Sequence, residues 1–350
     1  MNKISKEQQI KQKAIRTNFQ MRVISSVFLV IALIVYLTFP ILYNIGFINN
    51  WSENSLIALN VISLLISSAI LFFSTNELLS SFEIKFSKEK LFIQLFTVLL
   101  LWIPFTDKDR HTYVFNFISS VNYWNIIPFI ILISYISLVW ILLKNSLNKN
   151  KSEISKILLV SFIMIFALKT FNMLGFYIFS KNRVSSYLLY GFSSIIWIWL
   201  TIILTDTFAY LFGVKFGKHK LAPTISPKKS WEGAIAGFVC SVLVNLAIIL
   251  TLYFVGSTQK YAPFYGYFKI LNISNSIPVV LSYIFITMAV SILCQLGDLL
   301  FSWIKRSVNI KDFSNLIPGH GGILDRLDSF YFVLCVMFFV IFIGLFINQL

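Results

Sequence analysis

Nine apolar segments, each bounded by polar or charged residues, dominate this chain. A helix that crosses a bilayer needs about 20 apolar residues, and only the segment at 91–105, which ends near Pro104, falls clearly short of that length. Only 12% of the residues are charged, against roughly 25% in ordinary soluble domains. We therefore predict an all-α, polytopic integral membrane protein with about nine transmembrane helices, at 23–45, 55–73, 91–105, 124–143, 157–180, 186–212, 233–255, 277–300 and 329–348.

The basic residues lie mainly in alternate loops. If the N-terminus is inside, the inner segments 1–22, 74–90, 144–156, 213–232 and 301–328 contain 22 of the 29 Lys and Arg residues. Cytoplasmic loops of membrane proteins carry such an excess, so the asymmetry supports nine helices and a cytoplasmic N-terminus. The net charge of +15 then reflects orientation in the membrane, and no nucleic-acid partner is expected.

The acidic residues of the second half lie in two short stretches on the predicted inner side. Carboxylates near a membrane interior are costly and mark functional sites by default. From residue 157 to the end, the acidic residues are Asp206, Glu232, Asp298, Asp312, Asp325 and Asp328.

The later stretch, 297–328, has the composition of an active site. If the chain is helical from Asp298 onward, Ser302, Lys305 and Arg306 share a helix face with that carboxylate. Asp325 and Asp328 are three residues apart and would share a face of the next helix. Paired carboxylates provide the oxygen ligands that Mg²⁺ requires, so this pattern indicates a magnesium site.

A glycine-rich turn at 318–322 separates the two predicted helices. Glycine permits positive φ angles and close approach of the backbone to a ligand. Successive N–H groups around Gly321 and Gly322 could cradle a phosphate, and His320 would bind phosphate or fix the turn.

These residues resemble a known family signature. The later stretch resembles that of the phosphatidate cytidylyltransferases, the CDP-diacylglycerol synthases, at Ser302, Ile304, Lys305, Arg306, Lys311, Asp312, Ser314, Ile317, Pro318, His320, Gly321, Gly322, Ile323, Asp325, Arg326, Leu327 and Asp328. The earlier stretch is similar to the family at Asp206, Ala209, Tyr210, Gly213, Phe216, Gly217, Lys218, Leu221, Ala222, Pro223, Ser226, Pro227, Lys228, Lys229, Ser230, Glu232 and Gly233. Position 230 is more often threonine in the family, so serine keeps the hydroxyl. The resemblance covers roughly residues 200 to 330.

The resemblance implies transfer of CMP from CTP to phosphatidic acid, which gives CDP-diacylglycerol and pyrophosphate. It implies Mg²⁺ as cofactor, membrane lipids as surroundings, a possible homodimer, and a multi-pass location in the cell membrane with the active-site loops in the cytoplasm.

The resemblance also assigns roles to residues. Asp298, Asp325 and Asp328 would hold the metal. The expected catalytic residues are Asp298, Ser302, Lys305, Arg306, Lys311, Asp312, His320, Asp325, Arg326 and Asp328. The expected substrate-binding residues are Asp206, Ser226, Lys228, Lys229, Ser230, Glu232, Gly321 and Gly322.

We divide the chain into a cytoplasmic basic tail (1–22), an N-terminal transmembrane region without a recognised motif (23–200) and a catalytic membrane region (201–350). Two other hypotheses fit part of the pattern. A CDP-archaeol synthase or polyprenol kinase would share the apolar spans but depart from the long signature. A transporter or scramblase would spread ionisable residues along several helices, whereas Lys169 is the one clear cation within a predicted span.

Overall fold

The computed structural model describes residues 6–85, 87–103, 127–146, 149–176, 178–180, 186–188, 190–256, 258–270 and 275–347. Its helices are α1 (Lys6–Ile48), α2 (Glu53–Ser81), α3 (Lys88–Trp102), α4 (Ile127–Ile141), α5 (Lys151–Phe176), α6 (Phe192–Phe216), α7 (Trp231–Phe254), α8 (Tyr265–Ile270), α9 (Ser276–Ser307) and α10 (Ile323–Ile347). A π-helical turn, Leu142–Ser146, extends α4.

The prediction of an all-α, polytopic membrane protein is confirmed. Within the described residues, α1, α2, α5, α6, α7, α9 and α10 provide seven helices long and apolar enough to cross a membrane. The predicted spans at 91–105 and 124–143 fall on α3 and α4, which have 15 residues each, so the count of nine spans is not confirmed. Helix α3 ends just before Pro104, because proline disfavours a helical conformation in the residue that precedes it.

Helix α1 begins at Lys6, so the described part of the predicted basic tail is a continuation of the first membrane helix. Residues 1–5 of that tail, and the part of the predicted fourth span before residue 127, lie outside the described residues.

Two short antiparallel hairpins interrupt the helices. Strand β1 (Ile178–Ser180) pairs with β2 (Ser186–Leu188) where the spans 157–180 and 186–212 were predicted to end and begin. Strand β3 (Lys220–Ala222) pairs with β4 (Ser226–Ser230) between α6 and α7, with Lys220 opposite Ser230. The second hairpin carries much of the earlier motif stretch.

Helix α5 forms the centre of the bundle. Every residue from Ile163 to Phe176 is buried, as expected for a helix that is hydrophobic on all sides. Its polar side chains bind neighbouring helices: Thr170 Oγ1 donates to the Leu334 carbonyl of α10 at 2.8 Å. Lys169 donates to the carbonyls of Leu101 and Ile103 at the C-terminal end of α3, where the helix dipole favours a cation. The contacts of Lys169 therefore join α5 to the end of α3, which is a structural role.

Helices α6 and α7 approach closely because small residues face each other, as is common for helices in membranes. A Cβ atom on Gly233 would lie 2.5 Å from the Ala209 carbonyl oxygen and 2.8 Å from Gly213 Cα. Beside this contact, the hydroxyls of Thr205, Ser241 and Ser291 lie 3.0–3.1 Å apart. These hydroxyls connect α6, α7 and α9 in the interior.

We predict that Gly233→Ala lowers the thermal stability of the detergent-solubilised protein. The added methyl group must displace backbone atoms of α6, and overpacking of this kind costs about 1–3 kcal/mol. The matched control is Gly256→Ala, since a Cβ atom there would have no neighbour within 4 Å. Equal midpoints of thermal unfolding for the two variants would contradict the close packing of α6 and α7.

Candidate active site

The two motif stretches meet at one end of the bundle. Helices α6 and α9 end there, and α7 and α10 begin there. Lys229, on β4, forms an ion pair of 2.5 Å with Asp298, on α9. The structure thus brings the earlier and the later stretch into direct contact through a pair of opposite charges.

Two further carboxylates lie near the Asp298 side of this ion pair. They belong to Asp206 of α6 and Asp328 of α10, and they add negative charge around Asp298 of α9. Ser302, one turn along α9, donates a hydrogen bond of 3.2 Å to Asp298, as the predicted helical face requires. The Asp298 side chain is 28% exposed, so it remains accessible to a ligand.

A second cluster centres on Lys305, seven residues further along α9. Its ammonium nitrogen lies 2.9 Å from Asp325 Oδ1 and 3.7 Å from Asp328 Oδ2, and 5.4 Å from the centre of the Phe313 ring. The Lys305 side chain is 11% exposed and that of Asp325 only 2%. Charges buried to this extent require partners, and the two residues neutralise each other.

Asp325 has no free oxygen atom. Its Oδ1 accepts from Lys305, and its Oδ2 accepts from the backbone N–H groups of Phe313 at 2.8 Å and Gly322 at 3.0 Å. Gly321 has a φ angle of +85° and would place a Cβ atom 3.0 Å from Asp325 Oδ2. The glycine turn therefore folds around this carboxylate.

Helix α1 contacts His320 of the glycine-rich turn through two serine hydroxyl groups. The His320 ring nitrogens lie 2.8 Å from Ser25 Oγ and 3.2 Å from Ser26 Oγ. Ser25 Oγ also lies 2.9 Å from the Pro318 carbonyl oxygen. Both ring nitrogens thus contact hydroxyls of α1, an arrangement that anchors the turn.

Glu77 of α2 is the residue at this site that our sequence reasoning missed. It is 3% exposed, and its carboxylate accepts from Ser314 Oγ at 2.7 Å and from the N–H groups of Ile323 at 3.0 Å and Leu324 at 2.8 Å. Asp325 accepts from the Gly322 N–H group, one of those that we expected to cradle a phosphate, and Glu77 accepts from the next two N–H groups of the chain. The signal available in the sequence was an acid a few residues beyond the predicted span 55–73, because acids at the edge of a membrane mark candidate functional sites.

The hairpin of the earlier stretch is fixed at both ends. Ser230 caps α7, because its Oγ accepts from the Gly233 N–H at 3.2 Å, as preferred N-cap residues do. The Glu232 carboxylate accepts from the N–H groups of Lys218 at 3.1 Å and His219 at 3.2 Å, and lies 2.6 Å from the His219 ring nitrogen Nδ1.

The remaining sequence-predicted residues lie around these clusters. Arg306 donates to the carbonyls of Ile225 at 3.3 Å and Ile310 at 2.9 Å, so it ties the hairpin to the end of α9. Ser226 is half-buried on β4. Four charged side chains are exposed to solvent: Lys228, Lys311, Asp312 and Arg326.

The arrangement of acids bears on metal binding. Among the residues that the structure describes, no three His, Cys, Asp or Glu side chains are grouped so that they could hold a metal ion. Lysine ammonium groups face the acids instead, Lys229 at Asp298 and Lys305 at Asp325 and Asp328.

Comparison with known proteins extends the sequence resemblance. The sequence profile described as the cytidylyltransferase family matches residues 14–344. The chain belongs to the cytidylyltransferase family. The match includes both motif stretches and also α2, which supplies Glu77.

Individual members of the cytidylyltransferase family match a shorter part of the chain. A phosphatidate cytidylyltransferase of Staphylococcus aureus (strain COL) is 42% identical over 163 residues, 46% of this chain and 52% of that protein. The proteins of the same name from Staphylococcus haemolyticus (strain JCSC1435) and Staphylococcus epidermidis (strain ATCC 35984) are 43% and 38% identical over 163 and 161 residues, with the same shares of each chain. The aligned part spans about half the length of these relatives.

We predict that Lys305→Met destabilises this cytidylyltransferase family member far more than Lys311→Met. The first change leaves the buried Asp325 carboxylate without its cation, and removal of one partner of a buried pair costs about 3–5 kcal/mol. Lys311 is exposed, so its replacement is the matched control. Thermal unfolding in detergent measures both, and similar midpoints would show that the Lys305 pair contributes little.

Proposed function

We propose that this protein is a phosphatidate cytidylyltransferase, which transfers CMP from CTP to phosphatidic acid and releases pyrophosphate. The observation that carries the proposal is the ion pair between Lys229 and Asp298, which joins the two signature-like stretches in one cluster of carboxylates and lysines. Family membership and the names of the relatives support the same activity.

The reaction makes moderate demands on the protein. An oxygen of the lipid phosphate attacks the α-phosphorus of CTP, a new P–O bond forms, and the bond to the leaving pyrophosphate breaks. A phosphomonoester has a second pKa of about 6 and is largely dianionic near neutral pH, so no strong general base is needed. The site must instead bring two anions together and neutralise the charge on the leaving group.

The exposed cations are suited to binding the substrates' phosphates. Lys228, Lys311 and Arg326 extend into solvent at this end of the bundle, and Arg can bind phosphate oxygens in a bidentate manner. We assign phosphate contacts to these side chains, together with the hydroxyl of Ser226. Asp312, which is also exposed, would belong to the rim of the same site.

Other predicted residues have contacts that favour positioning. Ser230, Glu232 and Arg306 fix the β3–β4 hairpin, and His320 fixes the glycine turn against α1. Gly321 and Gly322 would serve by permitting the carboxylates of Asp325 and Glu77 to approach the backbone.

A magnesium ion fits the donor chemistry of this site. Mg²⁺ in nucleotide sites is usually held by one or two carboxylates together with substrate phosphates and water, so a cage of three acids is not required. Asp298 and Asp328 are the best candidates, since their side chains are 28% and 13% exposed, whereas the Asp325 side chain is only 2% exposed. When bound, the ion would offset negative charge on the phosphates. Ser302 and Lys229 would orient the Asp298 carboxylate, and Asp206 would add to the negative potential that attracts the cation.

We further propose that this end of the bundle faces the cytoplasm in the cell membrane. The excess of Lys and Arg in the inner segments supports the orientation, and CTP is a cytoplasmic substrate. A phosphatidic acid molecule could then enter laterally from the inner leaflet. A homodimer remains an expectation from the family resemblance.

We predict that the purified protein in detergent forms CDP-diacylglycerol from CTP and phosphatidic acid, that excess EDTA abolishes the reaction, and that Mg²⁺ restores it. Product is measured by chromatography with radiolabelled CTP. Parallel reactions with a polyprenol and with an archaeal-type ether lipid test the other substrates. Turnover of only those lipids would refute phosphatidic acid as the acceptor, and no turnover of any lipid by a folded protein would refute the proposed activity.

Asp298→Asn and Asp325→Asn should fail in different ways. Asp298→Asn removes a partly exposed ligand of the proposed metal ion. It should lower kcat by about 100-fold or more and raise the Mg²⁺ concentration needed for half-maximal activity, with little change in the thermal unfolding midpoint. Asp325→Asn removes the buried partner of Lys305 and should mainly lower the thermal unfolding midpoint. Glu83→Gln, an exposed residue after α2, serves as control. A raised Mg²⁺ requirement in Asp325→Asn alone would reverse our assignment.

A further inference from the structure

Glu77 occupies an unusual position for an acid in a membrane helix. It lies in the last turns of α2, a helix of the region without a recognised motif, and is 3% exposed. Its three hydrogen-bond donors all come from the later motif stretch: one is the hydroxyl of Ser314, and two are backbone N–H groups in the first turn of α10. The Glu77 carboxylate therefore connects α2, in the first half of the chain, to the later motif stretch.

Glu77 binds the chain on both sides of the glycine-rich turn that leads into α10. Ile323 and Leu324, whose N–H groups it accepts, directly precede Asp325, and Ser314 follows Phe313, whose N–H group Asp325 accepts. Glu77 and Asp325 thus hold both ends of the connection between residue 313 and residue 324. A shift of this connection would move Asp325 and Asp328 relative to Lys305.

The fit around Glu77 is close. A Cβ atom on Gly322 would lie 2.5 Å from Glu77 Oε2, so a side chain at this position would have to displace the carboxylate. One turn earlier on α2, Ser74 Oγ lies 2.9 Å from the hydroxyl of Tyr331 on α10. A negative charge at the start of α10 also interacts favourably with the helix dipole.

We propose that Glu77 is a positioning residue for the active site: it holds the start of α10 so that Asp325 and Asp328 face Lys305 in a geometry suited to catalysis. The kinetic part of this inference rests on the proposed cytidylyltransferase activity. Glu77 acts through the backbone of Ile323 and Leu324 and through Ser314.

The test compares Glu77→Gln with the parent protein and with Glu53→Gln. Glutamine keeps the volume of the side chain, but its amide nitrogen cannot accept a hydrogen bond from the Leu324 N–H. Glu53 is exposed at the opposite end of the same helix, roughly 36 Å away at 1.5 Å per residue. The measurements are kcat and KM for CTP and phosphatidic acid, together with amide hydrogen exchange by mass spectrometry.

We expect Glu77→Gln to lower kcat by about 10-fold to 100-fold with KM for CTP changed by less than about 3-fold. Hydrogen exchange should become faster in peptides covering 313–325 and stay unchanged in α5 and α7. Glu53→Gln should match the parent in every measurement. If Glu77→Gln keeps the parent's kcat, or if exchange increases throughout the chain, the positioning role is refuted.

Ser314→Ala provides a second variant if Glu77→Gln does not fold. It removes one donor to the Glu77 carboxylate and leaves the carboxylate in place, so we expect the same pattern with a smaller effect, about 3-fold in kcat. Unchanged kcat and unchanged exchange at 313–325 would refute the inference. If the folded parent makes no CDP-diacylglycerol, the proposed function fails, and the exchange data alone decide whether Glu77 holds this connection.

Discussion

The ion pair between Lys305 and Asp325 is the interaction on which the rest of the site depends. Both side chains are withdrawn from solvent, and the attraction between them, with the two N–H groups that bind Asp325, compensates for the loss of water. Formation of this pair requires the end of α9 and the start of α10 to lie side by side. The same contact brings Asp328 close to Lys305. It also requires the glycine-rich turn between α9 and α10 to fold around Asp325.

Acids of two kinds surround this pair, and their burial separates their roles. Glu77 and Asp325 are buried, and the oxygens of both carboxylates accept hydrogen bonds from the protein, so their charges shape the backbone. Asp298 and Asp328 retain partial exposure and face lysine ammonium groups that a bound cation or substrate could replace as partners. For the proposed reaction between two anionic substrates, this division would mean that the framework of the site does not have to rearrange when charged groups bind.

The first half of the chain is part of this framework. Helix α1 contacts His320 through Ser25 and Ser26, and α2 holds the start of α10 through Glu77. Helix α5 fills the centre of the bundle and binds the middle of α10 through Thr170. The region from 23 to 200 therefore contributes contacts to the site, although it contains no motif that we recognised in its sequence.

The sequence by itself determined that this is an all-α membrane protein, that Asp298, Ser302 and Lys305 share a helix face, and that a polar, glycine-rich loop precedes α10. Hydropathy and helical spacing are local properties, so a linear reading suffices for them. The tertiary structure alone decided that α3 and α4 are short, that Asp325 pairs with Lys305 and takes the Gly322 N–H group expected to bind phosphate, and that Glu77 binds the first N–H groups of α10. These contacts join residues far apart in the chain, and which carboxylate reaches which donor depends on how the helices pack.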